Sequence, residues 1–406
     1  MQQAIASDVL LNDAVIKTRG WINTTISALV EAACDHRHGG YVERFDWRGA
    51  PLDPGFKRIR VTGRQTYVFA HAAIGGAPGA HEAASHGTAF LKNHCLRDDR
   101  QFASRLATSG TMLDATADLY DIAFGLFAFA WWYQLSGDTQ AVEIAEASIA
   151  QLSNTMRSPS GRGFLAREGD VGPHQQNPHM HLFEAAIFLA AFTGSRKARM
   201  LADELFDLAR SSLFDATTGT LSEFFDAEWQ PDRRSGSIRI EPGHHYEWVW
   251  LLCRYGELAE EPEAFAIADR LFAFAQTHGH DPATGLIRDA VDPSGKVLAP
   301  DLRIWPNTEY LKAQVVMRER LGEGPGFDDA ALTANLARIF DHFLTPRPSG
   351  PATVLPVGLW IDYLEAPSLN PKCDHVPASS MYHIMFGFSE VLRYAAGHRP
   401  FSGTPW

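Results

Sequence analysis

His244 and Glu247 stand three residues apart in EPGHHYEWVW (241–250), a stretch that otherwise reads as the start of an aromatic helix. An imidazole titrates near neutrality, and a carboxylate one helical turn away can hold the ring and raise its basicity, which suits a general acid/base. The same spacing also describes a core histidine satisfied by its neighbour. His245 points about 100° away around the helix and reads as structural. His181 in NPHMHLFEA and His383 in PASSMYHIMFGF pose the same choice between core and chemistry. Arg64 in RVTGRQTYVFAHA can pair with an inner carboxylate or stabilise an oxyanion that develops during reaction.

Such residues need elements that bring them together. Short Gly-containing stretches with alternating apolar and polar residues, each reading as a strand entering a turn, recur at 39–53, 161–170, 218–232, 284–297 and 357–367, with a weaker member at 97–114. Their spacing of roughly 50 to 70 residues matches two helices plus connections. Between them apolar residues return at helical period. The pattern predicts first helices over 58–75, 118–135, 177–193, 241–257, 304–321 and 378–396. Second helices follow over 81–94, 138–156, 195–213, 263–278 and 328–344, and an N-terminal helix at 8–33 completes a sixth pair. Twelve helices in six pairs close into an (α/α)6 barrel, an all-α fold with short β-hairpins in its loops, because each helix then buries a face against the other layer. The expectation is one catalytic domain over residues 1–406.

The first helices are apolar all round, as in DIAFGLFAFAWW, which suits an inner layer. Near its N-terminal end each still carries polar or site-forming residues at helical spacing. These are Arg60, Arg64 and Tyr67; Asp118, Tyr120 and Asp121; Asn177, His181 and Glu184; His244 and Glu247; Trp305, Glu309 and Lys312; and Ser380 and His383. Burying an unpartnered polar group costs about 1–3 kcal/mol, so six sets at equivalent repeat positions point to one shared pocket. Tyr67, Tyr120, Trp248, Trp305 and Tyr382 read as core aromatics that can also wall a pocket against the apolar face of a sugar ring.

Composition narrows the classes. Hydrophobic residues make up 45% and charged residues 21%, as in an ordinary globular enzyme. A formal charge of −12 without a long basic run disfavours nucleic acid. No window reaches the roughly 18 apolar residues of a membrane span, and the N-terminus lacks the pattern of a secretory signal, so the expected location is cytoplasmic. Cys34, Cys95, Cys253 and Cys373 show no CxxC spacing and read as reduced, mostly buried thiols. No HExxH spacing is present, and an arginine in the same pocket opposes a dication, so no metal is expected; without a glycine-rich phosphate loop no nucleotide cofactor is implied either. The expected state is a monomer or homodimer.

In this order, RVTGRQTYVFAHA, DLYDIAF, NPHMHLFEA, EPGHHYEWVWLL, RIWPNTEYLKA and PASSMYH resemble the N-acylglucosamine 2-epimerase superfamily across nearly the whole chain. The resemblance implies an (α/α)6 barrel working beside a sugar carbonyl. It implies that His244 and His383 are the acid/base pair, with Glu247 raising the basicity of His244 and Arg64 stabilising an enediolate. It places Tyr120, Asn177, His181, Trp305 and Glu309 around the substrate. PASSMYH is most similar to the P-x-S-T-L-Y-H of mannose isomerases, whereas both epimerase branches carry an arginine soon after the histidine and here Ile384, Met385 and Phe386 follow His383. The expected reaction is therefore D-mannose to D-fructose isomerisation, with D-lyxose to D-xylulose as a related case and 2-epimerisation with the same two histidines as the alternative. An inverting glycoside hydrolase using Glu247, Glu309 and Asp121, or a non-catalytic sugar-binding scaffold, are the more distant readings.

Overall fold

The computed structural model describes residues 2–170, 172–233, 237–347 and 351–401, the side chains of 2–10 and 351 excepted. Among them lie twelve α-helices: α1 (Gln2–Ala32), α2 (Ile59–Ile74), α3 (Ala80–His94), α4 (Leu119–Ser136), α5 (Thr139–Thr155), α6 (Gln176–Thr193), α7 (Arg196–Leu208), α8 (Pro242–Ala259), α9 (Pro262–His278), α10 (Ile304–Leu321), α11 (Asp329–Phe343) and α12 (Met381–Ala395). Local signals stop and restart the chain between paired helices. α4 ends at Gly137, whose φ of 71° is left-handed, and Asp138 at once caps α5 by accepting from the Gln140 amide. Gly194 and Ser195 do the same between α6 and α7. A left-handed stop followed directly by an N-cap leaves room only for a tight reversal, so inner and outer helices run antiparallel.

The even-numbered helices form a closed inner ring in which α2 packs on α4, α4 on α6, α6 on α8, α8 on α10, α10 on α12, and α12 back on α2. Each of the first five inner helices also packs on the outer helix that follows it, and α1 covers α12, so the first and last helices complete the sixth pair. This is the (α/α)6 barrel expected from the repeats. The inner helices are buried on nearly every side, and one hydrophobic cluster runs from Val15 on α1 to Leu392 on α12. Cys34, Cys95 and Cys253 are buried free thiols and Cys373 is half-buried. No described helix is long and apolar enough to cross a membrane.

The loops lace one mouth of the barrel. Phe56–Arg58 leads straight into α2 and pairs with Arg105–Ala107. His174–Gln175 leads into α6 and pairs with Phe224–Phe225. Val297–Arg303 leads into α10 and pairs with Arg288–Val291, and Val376–Pro377, just ahead of α12, pairs with Arg44–Phe45. These ladders fix where four inner helices begin. Two expected strand-turn segments differ. The stretch 161–170 makes only the isolated bridges Arg157 to Phe164 and Asp118 to Arg167, because left-handed Gly161, Gly163 and Gly169 interrupt any ladder. The stretch 357–367 contributes only Tyr363–Leu364. The second helix expected over 195–213 is α-helical to Leu208 and closes in a wider π turn, Ala209–Leu213.

The ring is tightest where α2 crosses α4. A Cβ on Gly63 would stand 2.3 Å from the carbonyl oxygen of Phe124, and helix backbone cannot yield as a side-chain tip can. Gly63→Ala is expected to destabilise the fold by about 1–3 kcal/mol in urea unfolding, the usual cost of overpacking, and to displace the neighbouring Arg64.

Candidate active site

At the mouth bounded by those helix starts lies a cavity of about 320 Å³. Its walls include Arg64 from α2, Tyr120 from α4, Asn177 and His181 from α6, His244 from α8, Trp305 from α10 and Ser380 and His383 at the start of α12, with Glu223 and Asp362 entering from loops. All six inner helices thus contribute from their first two turns. The rings of His244 and His383 lie on Trp305, with centroids 4.8 and 5.5 Å from it. His181 lies 6.4 Å from His383 and 5.0 Å from Tyr120 by the same measure.

The two histidines beside Trp305 are electrically unlike. His244 Nδ1 is 3.0 Å from both carboxylate oxygens of Glu223 and 3.6 Å from Glu241 Oε2. Burial works against its charge, but Glu223 and then Glu241 outweigh it and push the imidazole up to about 9. Glu223 is itself fixed, accepting from Gln176 Nε2 at 2.9 Å and from the Glu241 amide at 3.3 Å. His383 Nδ1 lies 2.8 Å from Glu309 Oε1, yet burial, with Arg64, Lys312 and His244 nearby, holds it well below the ordinary imidazole range. His244 is therefore a cation at neutral pH and His383 a neutral ring. Each Nδ1 faces a carboxylate, Glu223 or Glu309, and each Nε2 is left to the cavity.

Under the cavity lies a floor of buried charge. Lys312 Nζ is 2.7 Å from Glu309 Oε2 and 3.9 Å from Glu184 Oε1. Glu184 accepts from Tyr382 Oη and, at 3.2 Å, from His181 Nδ1, and burial, the largest cause, pushes it up to about 7. Glu247 Oε1 lies 3.7 Å from His181 Nδ1, and neither Glu247 oxygen has a hydrogen-bond partner among the described residues, so burial raises it well above the carboxylate range. Arg64 donates to Tyr120 Oη at 2.7 Å and lies over the Phe124 ring at 4.3 Å. Among the described residues no carboxylate lies within ion-pairing distance of Arg64, which leaves its charge for an oxyanion in the cavity.

Most sequence-derived candidates meet here: Arg64, Tyr120, Asn177, His181, His244, Trp305 and His383 all line the cavity. Asn177 Oδ1 has no partner among the described residues and can accept from a hydroxyl. Two assignments change. Glu247 is not the partner of His244; Glu223 is, because Glu247 lies on the floor beside His181 while the strand from 220 brings Glu223 across the start of α8. Glu309 does not border the cavity but lies behind His383. His245, expected to be structural, accepts from the Leu221 amide at 3.1 Å. Glu223 and Asp362, the latter accepting from Ser380 Oγ, were missed because loop residues carry no helical period. The only cue was an acidic residue in the segment preceding α8.

His181 with Glu184 and Glu247, and His383 with Glu247 and Glu309, approach metal-ligand proximity. Both sets surround Lys312, whose ammonium supplies the positive charge and would repel a dication. Glu223, Glu241 and His244 form a third such set, in which His244 Nδ1 is already given to Glu223.

Residues 39–387 match the model of the N-acylglucosamine 2-epimerase (GlcNAc 2-epimerase) family. The chain is 32% identical over 384 residues to a mannose-6-phosphate isomerase of Rhizobium meliloti (strain 1021), covering 92% of this chain and 95% of that one. It is 29% identical over 331 residues to a D-mannose isomerase of Thermobifida fusca, covering 75% and 79%. The crystal structure of a D-mannose isomerase superposes with a TM-score of 0.80 over 96% of this chain and 98% of that one, at 23% identity, which speaks to the fold alone.

Removing the Glu223 charge tests the electrostatics directly. In Glu223→Gln the His244 ring is expected to titrate at least about one pH unit below the wild-type value near 9, read by NMR of the labelled histidine. An unmoved midpoint would assign the shift to another carboxylate.

Proposed function

Because the chain belongs to the N-acylglucosamine 2-epimerase family, a family of sugar epimerases and isomerases, we propose that it is an aldose-ketose isomerase that interconverts D-mannose and D-fructose, with D-lyxose and D-xylulose as the five-carbon counterpart. The whole barrel is taken as one catalytic unit. The observation that carries this reading is the pair of unlike histidines beside one indole in a single polar cavity. Relatives named isomerases align with 69% or more of the chain, whereas those named cellobiose 2-epimerases align with 42 to 57%.

Protonated His244 donates to the ring oxygen as the C1–O5 bond breaks, and the anomeric hydroxyl proton returns to it, so the ring opens with no net proton change. Neutral His383 Nε2 then takes the C2 proton. The electron pair moves through a C1–C2 double bond onto O1, where Arg64 stabilises the cis-enediolate. The O2 proton passes to O1, the carbonyl forms at C2, and His383 returns its proton to C1. Asn177, His181, Tyr120 and Trp305 hold the sugar, and no cofactor enters.

The charge around the cavity favours a neutral sugar over its 6-phosphate. Arg239 is engaged by Glu241 at 2.8 Å and Arg303 lies 3.5 Å from Asp289, while Glu223, Glu241 and Asp362 face the opening. A dianion would meet more carboxylates than unengaged cations.

Product analysis from free mannose is expected to give fructose; glucose without ketose would establish the epimerase instead. kcat/KM for mannose is expected to exceed that for mannose 6-phosphate. His383→Ala and His244→Ala should each lose about 10²- to 10⁴-fold in kcat/KM, the usual contribution of a general acid or base. Since the acid form of His244 is the active one, kcat/KM should hold through neutrality and fall as pH rises through about 9.

A further inference from the structure

Lys312 does not reach the cavity. It is fully buried on α10, its Nζ 4.1 Å from the centroid of Phe386 and 4.8 Å from that of Trp250. An ammonium in such a place persists only if anions hold it, and burial is outweighed here by Glu309, Glu184 and Glu247, which keep Lys312 above the ordinary lysine range. Three buried carboxylates surround one buried cation, so they cannot all stay ionised. Glu247, for which no hydrogen-bond donor lies among the described residues, is the one that burial pushes well above the carboxylate range. Glu309, 2.7 Å from Lys312 Nζ, is the one the ammonium serves best, Lys312 offsetting the burial that raises it.

Glu309 in turn decides what His383 shows the cavity. Ionised, it accepts from Nδ1–H at 2.8 Å and leaves Nε2 with a lone pair. Protonated, it would donate to Nδ1, the ring hydrogen would move to Nε2, and the ring could no longer take a proton from carbon. We propose that Lys312 is a positioning residue that keeps Glu309 ionised and thereby fixes His383 in the Nδ1–H tautomer, with its basic nitrogen toward the sugar. The catalytic consequence rests on His383 being the carbon base proposed above; the tautomer itself does not. The other titratable groups facing this assembly are Arg64 and Tyr67 from α2, His181 and Glu184 from α6, His244 and Glu247 from α8, and Tyr382 from α12. Of these only Arg64 and His244 carry positive charge, and neither is within ion-pairing distance of Glu309 among the described residues.

The test uses the full-length enzyme with ¹⁵N-labelled histidine, His383 being assigned from a His383→Gln spectrum. Wild type should show the Nδ1–H tautomer. Lys312→Met should show Nε2–H at pH 7 and revert to Nδ1–H as pH rises through the displaced Glu309 titration. Its kcat should fall about tenfold or more at pH 7 with little change in KM, and recover along the same titration. Lys312→Met/Glu309→Gln should lose the pH-dependent change of tautomer, because an amide at 309 does not titrate. Lys312→Met that keeps Nδ1–H at pH 7, including one that loses activity equally at all pH, overturns the proposal. If Lys312→Met does not fold, the double variant carries the test, and a His383 tautomer that still switches with pH there overturns it. A tautomer that switches as described in an enzyme that does not isomerise mannose would instead sink the isomerase reading and leave the Lys312 role intact.

Discussion

A buried carboxylate keeps its charge only beside a cation or enough donors, and that constraint organises the base of the barrel. Glu184, Glu247 and Glu309 come from three successive inner helices and surround Lys312 on one of them. Their limited supply of positive charge divides them into unlike states, with Glu309 paired, Glu184 shared between Tyr382, His181 and Lys312, and Glu247 pushed by burial well above the carboxylate range. The histidines above inherit those differences. His383 rests on the floor and is neutral, whereas His244 is turned toward Glu223 in a loop and is a cation. A cationic and a neutral imidazole thus coexist within one small cavity because the carboxylates behind them are anchored differently.

The closed ring makes such a floor possible. Only the inner helices reach the axis, and each presents its first two turns at the same mouth, so side chains separated by more than 300 residues share one cavity, as Arg64 and His383 do. Short ladders between loops hold those starts in place; the pairing of Arg44–Phe45 with Val376–Pro377 ties the beginning of the chain to the entrance of α12. Loops also contribute chemistry, since the strand that pairs with the lead-in to α6 begins just after Glu223.

Helical period made the barrel and most of the cavity wall legible in the sequence. A core-facing polar residue at the same point of each repeat is a local signal, and His181, His244, Trp305 and His383 all carry it. Partners across the barrel leave no such trace. Glu247 stands one turn from His244 in sequence, yet the ring of His244 turns outward to Glu223, 21 residues earlier, whose two carboxylate oxygens both lie 3.0 Å from Nδ1. Glu309 and Lys312 share a helix turn and could be read as a pair, but that Glu309 lies behind His383 depends on how α10 meets α12. Alternation in 161–170 suggested a strand, but a strand also needs a neighbour and an unbroken ladder, which left-handed glycines deny it.

The central claim is that one base, His383, moves a proton between C2 and C1 on a single face of an enediolate. Proton NMR of fructose formed from mannose in D2O tests it most directly. The account predicts deuterium at only one of the two diastereotopic C1 positions of the ketose, accumulating as solvent exchanges with the base. Deuterium distributed over both C1 positions, or glucose labelled at C2 as the main product, would contradict it.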